Sequence, residues 1–202
     1  LDEIDLNVLM SGRKRVLVTG GAGFIGGCLV RRLLNQSKVK VFNLDKCGYA
    51  SDLTSINAIT HSSNRHELIK VDLADSDAIE DAIKFIDPDI VFHLAAESHV
   101  DRSIDGPKSF LESNVIGTFN LLQTLCNHWE NLTNDRKDAF RFLHISTDEV
   151  FGSLGEFGCF LEDTPYNPRS PYAATKAASD HLVRSWHHTY GLPVVLTNCS
   201  NN

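Results

Sequence analysis

The chain has 202 residues, 42% of them hydrophobic and 22% charged, and a formal charge of −7. That length suffices for one substantial core, and an acidic balance with no basic run excludes a nucleic-acid face of the usual kind. No apolar stretch approaches the ~20 residues of a membrane span, and no signal-type apolar segment opens the chain, so a single cytosolic domain with small-molecule partners is expected. The five cysteines, Cys28, Cys47, Cys126, Cys159 and Cys199, lack Cys-x-x-Cys spacing. No His-x-x-x-His pair with a nearby acid calls for a metal either, so the cysteines are expected to be reduced thiols, mostly buried.

Residues 1–14 are polar and irregular, and a frayed N-terminal extension of something longer is expected there. The ordered domain is expected over 15–202. It opens on Arg15-Val16-Leu17-Val18-Thr19, a short apolar strand running into a glycine-rich turn and then a helix. Gly20, Gly23 and Gly26 have Gly-x-x-Gly-x-x-Gly spacing. The first permits a tight turn, the second lets backbone approach a pyrophosphate, and the third lets the helix pack close to the strand. Free N–H groups at the start of that helix, with its positive dipole end, then face phosphate. Leu29, Val30, Leu33 and Leu34 give the helix an apolar face. A second strand, residues 39–44, ends in Asp45, about twenty residues past the last glycine, where an acid accepts bonds from two ribose hydroxyls. Its charge repels a 2′-phosphate, so NAD is favoured over NADP; Lys46 beside it softens that preference without reversing it.

Residues 53–59 suit a short helix, and residues 66–71 a third strand ending at Asp72. Asp72 and Leu73 then sit where an adenine edge is contacted; alternatively Asp72 merely lies in a turn while Asp75 or Ser76 caps the next helix. That helix covers about 77–85, Asp87-Pro88-Asp89 turns the chain, and residues 90–96 form a fourth strand apolar on both faces. A central parallel strand covered by helices needs such a run. Strands alternating with helices predict an α/β fold, a doubly wound parallel sheet of the Rossmann type. Ala95 and Ala96 leave room for a ligand at the carboxyl rim. A long helix over about 107–130 is apolar on more than one face. One face packs on the sheet, and the excess is either a subunit interface or a second contact within a larger chain. Residues 131–138 read as a polar loop. A fifth strand, 141–145, delivers Ser146, Thr147, Asp148 and Glu149 to the same rim, and 150–169 read as a loop over the site. Ser170 and Pro171 start a helix that runs to about Tyr190, and residues 193–197 form a sixth strand.

Tyr172 and Lys176 are four apart on that helix and point to the same side. A tyrosine of pKa about 10 is a poor base at neutral pH, and a nearby ammonium stabilises the phenolate and lowers that value. Behind a dinucleotide turn the pair supplies the base that removes an alcohol proton while NAD takes hydride. The adjacent carboxyls Asp148 and Glu149 are either a solvated turn or a proton-transfer pair. With one protonated and the other ionised, they can donate to a leaving hydroxyl and take a proton from carbon.

The segments TGGAGFIG, HLAAESHVDRSI, HISTDEVFG, SPYAATKAASDHLVRSW and GLPVVLTNCSNN together resemble the extended short-chain dehydrogenase/reductases over roughly residues 15–202. Among these they are most similar to the dTDP-glucose 4,6-dehydratases. The resemblance implies an NAD-dependent hydro-lyase that converts dTDP-glucose to the 4-keto-6-deoxy sugar nucleotide and water. It assigns Tyr172, assisted by Lys176 and Thr147, to deprotonating the sugar 4-hydroxyl, Glu149 to taking the proton from carbon 5, and Asp148 to protonating the departing 6-hydroxyl. It further implies cofactor contacts from Phe24, Ile25, Asp45, Lys46, Asp72, Leu73, Leu94, Ala95, Ala96, Ser113 and Asn202. Substrate contacts are implied for Ser98, Thr147 and Asn201, and a homodimer through the helices at about 107–130 and 170–190. Nucleotide-sugar 4-epimerases share the glycine turn and Tyr-x-x-x-Lys but usually carry small residues at 148 and 149. Such an epimerase, or a non-catalytic NAD-binding module, is the alternative. Phe151 stands where the family usually has tyrosine, and the loop between Glu149 and Tyr172 is short. The resemblance also implies a C-terminal lobe that grips the nucleotide-sugar and is not contained in these residues, so this stretch is expected to hold the chemical groups without much of the substrate grip.

Overall fold

The computed structural model describes residues 10–12, 14–54, 56–57 and 64–200. Its strands are β1 (Arg15–Thr19), β2 (Lys40–Asp45), β3 (His66–Lys70), β4 (Ile90–His93), β5 (Arg141–Thr147) and β6 (Val194–Cys199). They form one sheet in the order β3-β2-β1-β4-β5-β6, with every pairing parallel. The helices are α1 (Phe24–Gln36), α2 (Ser76–Ile86), α3 (Val100–Asp105), α4 (Pro107–Phe110), α5 (Gly117–Glu130), α6 (Asn134–Ala139) and α7 (Pro171–Tyr190). This is the doubly wound Rossmann architecture expected from the alternation of strands and helices. Strand order reverses between β1 and β4, so their carboxyl ends open into a crevice at the switch point.

Alternation along each strand divides the core in two. Leu17, Phe42, Leu44, Val91 and Phe142 pack against Ile79 and Ile83 of α2, Leu121, Leu122 and Leu125 of α5, and Val183 and Trp186 of α7. On the opposite face Val16, Val18, Val41 and Ile90 meet Val30, Leu33 and Leu34 of α1, and Met10 joins them. Met10 is therefore core, and the backbone N–H groups of Lys14 and Arg15 both donate to Asp89 Oδ2. Of the extension expected to be frayed over 1–14, Met10 and Lys14 are tied down; residues 1–9 and 13 lie outside the described residues.

Helix ends follow local chemistry. Asp75 caps α2, its Oδ1 accepting from the Ala78 N–H at 3.1 Å. Ser170 caps α7 through the Ala173 N–H at 3.0 Å with Pro171 in the first turn, and Gly191 ends that helix at φ 78°.

Four expectations need correction. β4 stops at His93, and residues 94–96 leave the ladder as an extended rim, with the Leu94 N–H still donating to the Thr19 carbonyl at 3.1 Å. The helix expected over 107–130 is interrupted. α3 precedes it, and Leu111–Ile116 is a π turn between α4 and α5. At that turn Asn114 is buried and bonded to the backbone of Glu97, while Ser179 of α7 donates to the Asn114 carbonyl at 2.6 Å. A π turn frees a carbonyl for such a partner. The polar loop expected over 131–138 contains α6, held because Arg136 reaches Asp87 and Asp89. The cysteines are mostly not buried: Cys126 is, Cys28 and Cys159 are exposed, Cys47 and Cys199 are half-buried, and all five are free thiols as expected. Thr54, Ile56 and Asn57 are helical as expected for 53–59, and residues 55, 58 and 59 fall outside the described residues.

Candidate active site

The turn after β1 is packed backbone against backbone. Gly20 has φ 71°, its N–H donates to the Leu44 carbonyl at 2.9 Å, and a Cβ added there would stand 2.6 Å from the Ala95 backbone. At Gly26 an added Cβ would lie 2.1 Å from the Gly20 carbonyl oxygen. The two glycines thus let β1, the rim after β4 and the start of α1 come together. Gly23 is the N-cap of α1, with no side-chain cap bond and no acid in the first turn. Phe24 is 83% exposed, leaving that helix end open.

A cleft of about 480 Å³ runs along the carboxyl rim of the sheet. Asp45, Lys46, Asp72 and Leu73 line it at the β2–β3 end, and Gly20, Gly23, Phe24, Ile25 and Gly26 line the turn. Leu94, Ala95, Ala96, Ser98 and Ser113 line it beyond β4, and Thr147, Tyr172 and Lys176 at the β5–α7 end. Asp148 and Glu149 stand on the 3₁₀ turn Asp148–Phe151 that follows Thr147. Asn201 and Asn202 lie outside the described residues. Asp45 is buried, its Oδ2 accepting from the Ala22 N–H at 3.0 Å and its Oδ1 from the Cys47 N–H and the Ser51 hydroxyl at 2.7 and 3.1 Å. Asp72 lines the cleft and holds its own turn, accepting from the Ala74 N–H at 2.9 Å, while Asp75 caps the next helix.

The electrostatics at the β5–α7 end differ from the expectation in one respect. The Tyr172 phenol is pushed up to about 12, first by burial and then by the Glu149 carboxylate, with a bond to Thr147 working the other way. The sequence predicts the opposite, a phenol lowered by Lys176. Spacing puts the two side chains on one side of α7, but the Lys176 ammonium donates to the Ile145 carbonyl at 2.7 Å. Burial pulls Lys176 down to about 8, against the opposing pull of Asp180. Glu149 is raised by burial and then by Asp148. That direction suits a proton acceptor, because a carboxylate of raised proton affinity is a stronger base.

Beneath these groups lies a buried polar cluster. Asp180 Oδ1 accepts from His144 Nε2 at 3.1 Å, and Oδ2 accepts from the Ser146 and Tyr166 hydroxyls, each at 2.8 Å. Burial works to raise the Asp180 carboxyl, but the His144 and Ser146 bonds and the charge on Lys176 hold it below the ordinary range. Burial, and next Lys176, bring His144 to about 4, so its imidazole is neutral at pH 7. One acid therefore joins β5, α7 and the 152–169 loop behind the Tyr172–Lys176 pair.

Glu97, Tyr49, Ser51 and Cys199 also line the cleft, and no local pattern in the sequence singles them out. Glu97 accepts from the Lys46 ammonium at 2.6 Å across 51 positions of chain, and Arg102 stacks 3.6 Å from the Tyr49 ring centroid. The one available signal is the position of Glu97 directly after Ala96. Among the described residues no group of His, Cys, Asp and Glu is arranged to hold a metal, and no helix is long and apolar enough to cross a membrane.

The family model described as GDP-mannose 4,6 dehydratase matches residues 17–202. The dTDP-glucose 4,6-dehydratase of Xanthomonas campestris pv. campestris strain B100 is 53% identical over 186 residues, which cover 92% of this chain and 52% of that protein. Escherichia coli K12 has a dTDP-glucose 4,6-dehydratase 1 that is 49% identical over 197 residues, 93% of this chain and 54% of its own length. The crystal structure of dTDP-glucose 4,6-dehydratase from Streptomyces venezuelae, with NAD and TYD bound, superposes with a TM-score of 0.81 at 40% identity, covering 92% of this chain and 55% of that one. The UDP-glucose 4-epimerase of Thermus thermophilus, a complex with NAD, superposes at 0.77 with 31% identity, covering 91% of this chain and 54% of that one. The chain spans about half the length of the curated relatives it matches. With the fold, the glycine turn and the match over residues 17–202 in agreement, the chain belongs to the GDP-mannose 4,6 dehydratase family.

Proposed function

We propose that this chain carries the dinucleotide site and the reacting groups of an NAD-dependent dTDP-glucose 4,6-dehydratase. NAD fits the residues present. The start of α1 has no side-chain acceptor, which suits a pyrophosphate, and the close backbone approach at Gly20 and Gly26 leaves that turn free of side chains. Asp45, Asp72 and Leu73 would hold the adenosine end and Thr147, Tyr172 and Lys176 the nicotinamide end, with Leu94, Ala95, Ala96 and Ser113 between. The chemistry NAD supplies when bound is reversible acceptance of a hydride, taken from carbon 4 of the sugar and returned at carbon 6.

Tyr172 would accept the proton of the sugar 4-hydroxyl as its phenolate, with Thr147 working to lower the phenol against the opposing effects of burial and Glu149. With carbon 4 as a ketone, the proton on carbon 5 becomes acidic, and Glu149, of raised proton affinity, would take it. Asp148 would give a proton to the 6-hydroxyl as it leaves as water, and as hydride reaches carbon 6 Glu149 would return its proton to carbon 5. The proton Tyr172 took from the 4-hydroxyl balances the one Asp148 gave, so the products are a 4-keto-6-deoxy sugar nucleotide and water. Ser98 and Asn201 are the proposed substrate contacts beyond Thr147. The observation that carries the reading is the sequence Thr147-Asp148-Glu149 at the exit of β5. Thr147 lines the cleft with Tyr172 at the opposite end from Asp45, and the two acids, which do not themselves line the cleft, stand on the turn directly after it. The same pair favours dehydration over 4-epimerisation, which needs no second proton donor.

The chain is titrated with NAD by calorimetry, and a protein that carries it together with the C-terminal lobe implied by the resemblance is incubated with NAD and dTDP-glucose, the sugar nucleotide being weighed by mass spectrometry. Bound NAD and a product lighter by one water, absent with Tyr172→Phe, is the expected result. A product of unchanged mass inverted at carbon 4, or no NAD binding, would refute it.

A further inference from the structure

We propose that Glu97 sets the choice between the two nicotinamide dinucleotides by holding the Lys46 ammonium in an ion pair. The inference rests on the dinucleotide reading above and adds to it a residue that the glycine turn and Asp45 do not specify. Lys46 directly follows Asp45 at the end of β2, so its ammonium is the cation best placed to offset Asp45 and accept a 2′-phosphate. Instead Nζ lies 2.6 Å from Glu97 Oε1 and 3.4 Å from the Ser113 hydroxyl. The other cation lining the cleft, Lys176, is committed to the Ile145 carbonyl. Three carboxylates, Asp45, Asp72 and Glu97, thus face two engaged ammoniums among the described lining residues. A 2′-phosphate entering there meets Asp45 with both lining ammoniums already engaged.

Glu97 cannot readily move away from Lys46. Its side chain is 13% exposed. Its backbone N–H donates to Asn114 Oδ1 at 2.8 Å, and its carbonyl accepts from Asn114 Nδ2 at 2.9 Å. Asn114 is itself buried in the π turn and donates a further bond to the Thr175 hydroxyl of α7 at 3.0 Å. The irregular turn thereby fixes an acid opposite the end of β2, and Lys46 is drawn to it. A fixed acid that keeps a cation occupied discriminates by withholding a partner.

The test titrates the chain with NAD and, separately, with NADP, and compares the ratio of the two dissociation constants in wild type, E97Q, K46M and the E97Q/K46M double variant. The two nucleotides differ only in the 2′-phosphate, so a general loosening of the site cancels in the ratio, and NAD affinity reports that each variant is folded. Wild type is expected to prefer NAD. E97Q is expected to narrow the preference roughly tenfold, the size of one screened charge-assisted contact. K46M should leave the preference for NAD at the wild-type level or widen it, because Glu97 is then unbalanced, and the double variant should lose the E97Q gain. An E97Q ratio equal to wild type, or a gain that persists in the double variant, overturns the inference while leaving the dinucleotide reading in place. A wild-type chain that binds neither nucleotide overturns both.

Discussion

Lys176→Met gives the most direct measure of what the buried site costs the fold. The lysine is 4% exposed, and burial brings it from 10.5 to about 8. Holding it charged at neutral pH therefore costs the folded state about 3 kcal/mol. Methionine keeps most of the stem and removes the charge, but it also strips the Ile145 carbonyl of its donor, at about 1–3 kcal/mol for an unpaired buried acceptor. At pH 7 the two terms nearly cancel, and the variant should equal wild type or exceed it by up to about 2 kcal/mol. The dependence on pH is sharper. Because the folded pKa lies below the unfolded one, the unfolded wild type binds more protons between about 8 and 10.5. Wild type therefore gains on the variant as pH rises through that window and loses the gain as pH falls through the lower value. Urea midpoints for both proteins at pH 7, 8.5 and 9.5 would show wild type overtaking the variant. A difference that stays flat with pH, or a variant already weaker by about 2 kcal/mol or more at pH 7, would mean that Lys176 is not held as a strained charge.

Gly20→Ala should destabilise by at least about 2 kcal/mol in urea unfolding, from left-handed backbone strain and overlap with the Ala95 backbone; a loss under about 0.5 kcal/mol would deny the close approach. Glu149→Gln should lower the Tyr172 phenol, because the carboxylate that opposes its ionisation is gone. Absorbance titrations referenced to Tyr172→Phe would reveal this, and an unchanged midpoint would separate the two side chains. Asp180→Ala should cost about 3–5 kcal/mol by leaving buried partners unmatched; a neutral result in thermal unfolding would show that the His144–Ser146–Tyr166 cluster reorganises freely.

The sheet was legible because its residues obey one period. Val16-Leu17-Val18 and Ile90-Val91 are apolar on both faces, and both faces are covered. The glycine turn was legible for a similar reason, since only glycine permits the approach found at Gly20 and Gly26. The π turn was not, because its cause lies far away in the chain: Asn114 is held by Glu97, Thr175 and Ser179. α6 escaped notice on composition, as its polar sequence is held by Arg136 reaching back to Asp87 and Asp89 rather than by an apolar face. The Tyr172–Lys176 spacing gave the side of the helix but not the ammonium's partner, which belongs to β5. Helical periodicity determines which way a side chain leaves the backbone; the nearest unpaired acceptor decides where its end comes to rest.

That distinction bears on how the proposed chemistry is supported. The Lys176 ammonium lies in a buried region where charge is costly, and Asp180, one turn further along α7, opposes its neutralisation first, followed by Cys199. Asp180 in turn stays ionised because His144 and Ser146 donate to it, and those residues alternate with Ile145, whose carbonyl receives the Lys176 ammonium. A single stretch of β5 and the turn after it, residues 144–149, therefore supplies the carbonyl under the lysine, the donors under its counter-charge, Thr147 beside the phenol and the two acids beyond. Shifting β5 by one residue against α7 would exchange its buried and cleft-facing sets, removing Thr147 from the phenol and the donors from Asp180 together. The polar cluster and the cleft chemistry thus depend on the same register, which β5 shares with β6 through the pairs Ile145–Thr197 and Thr147–Cys199.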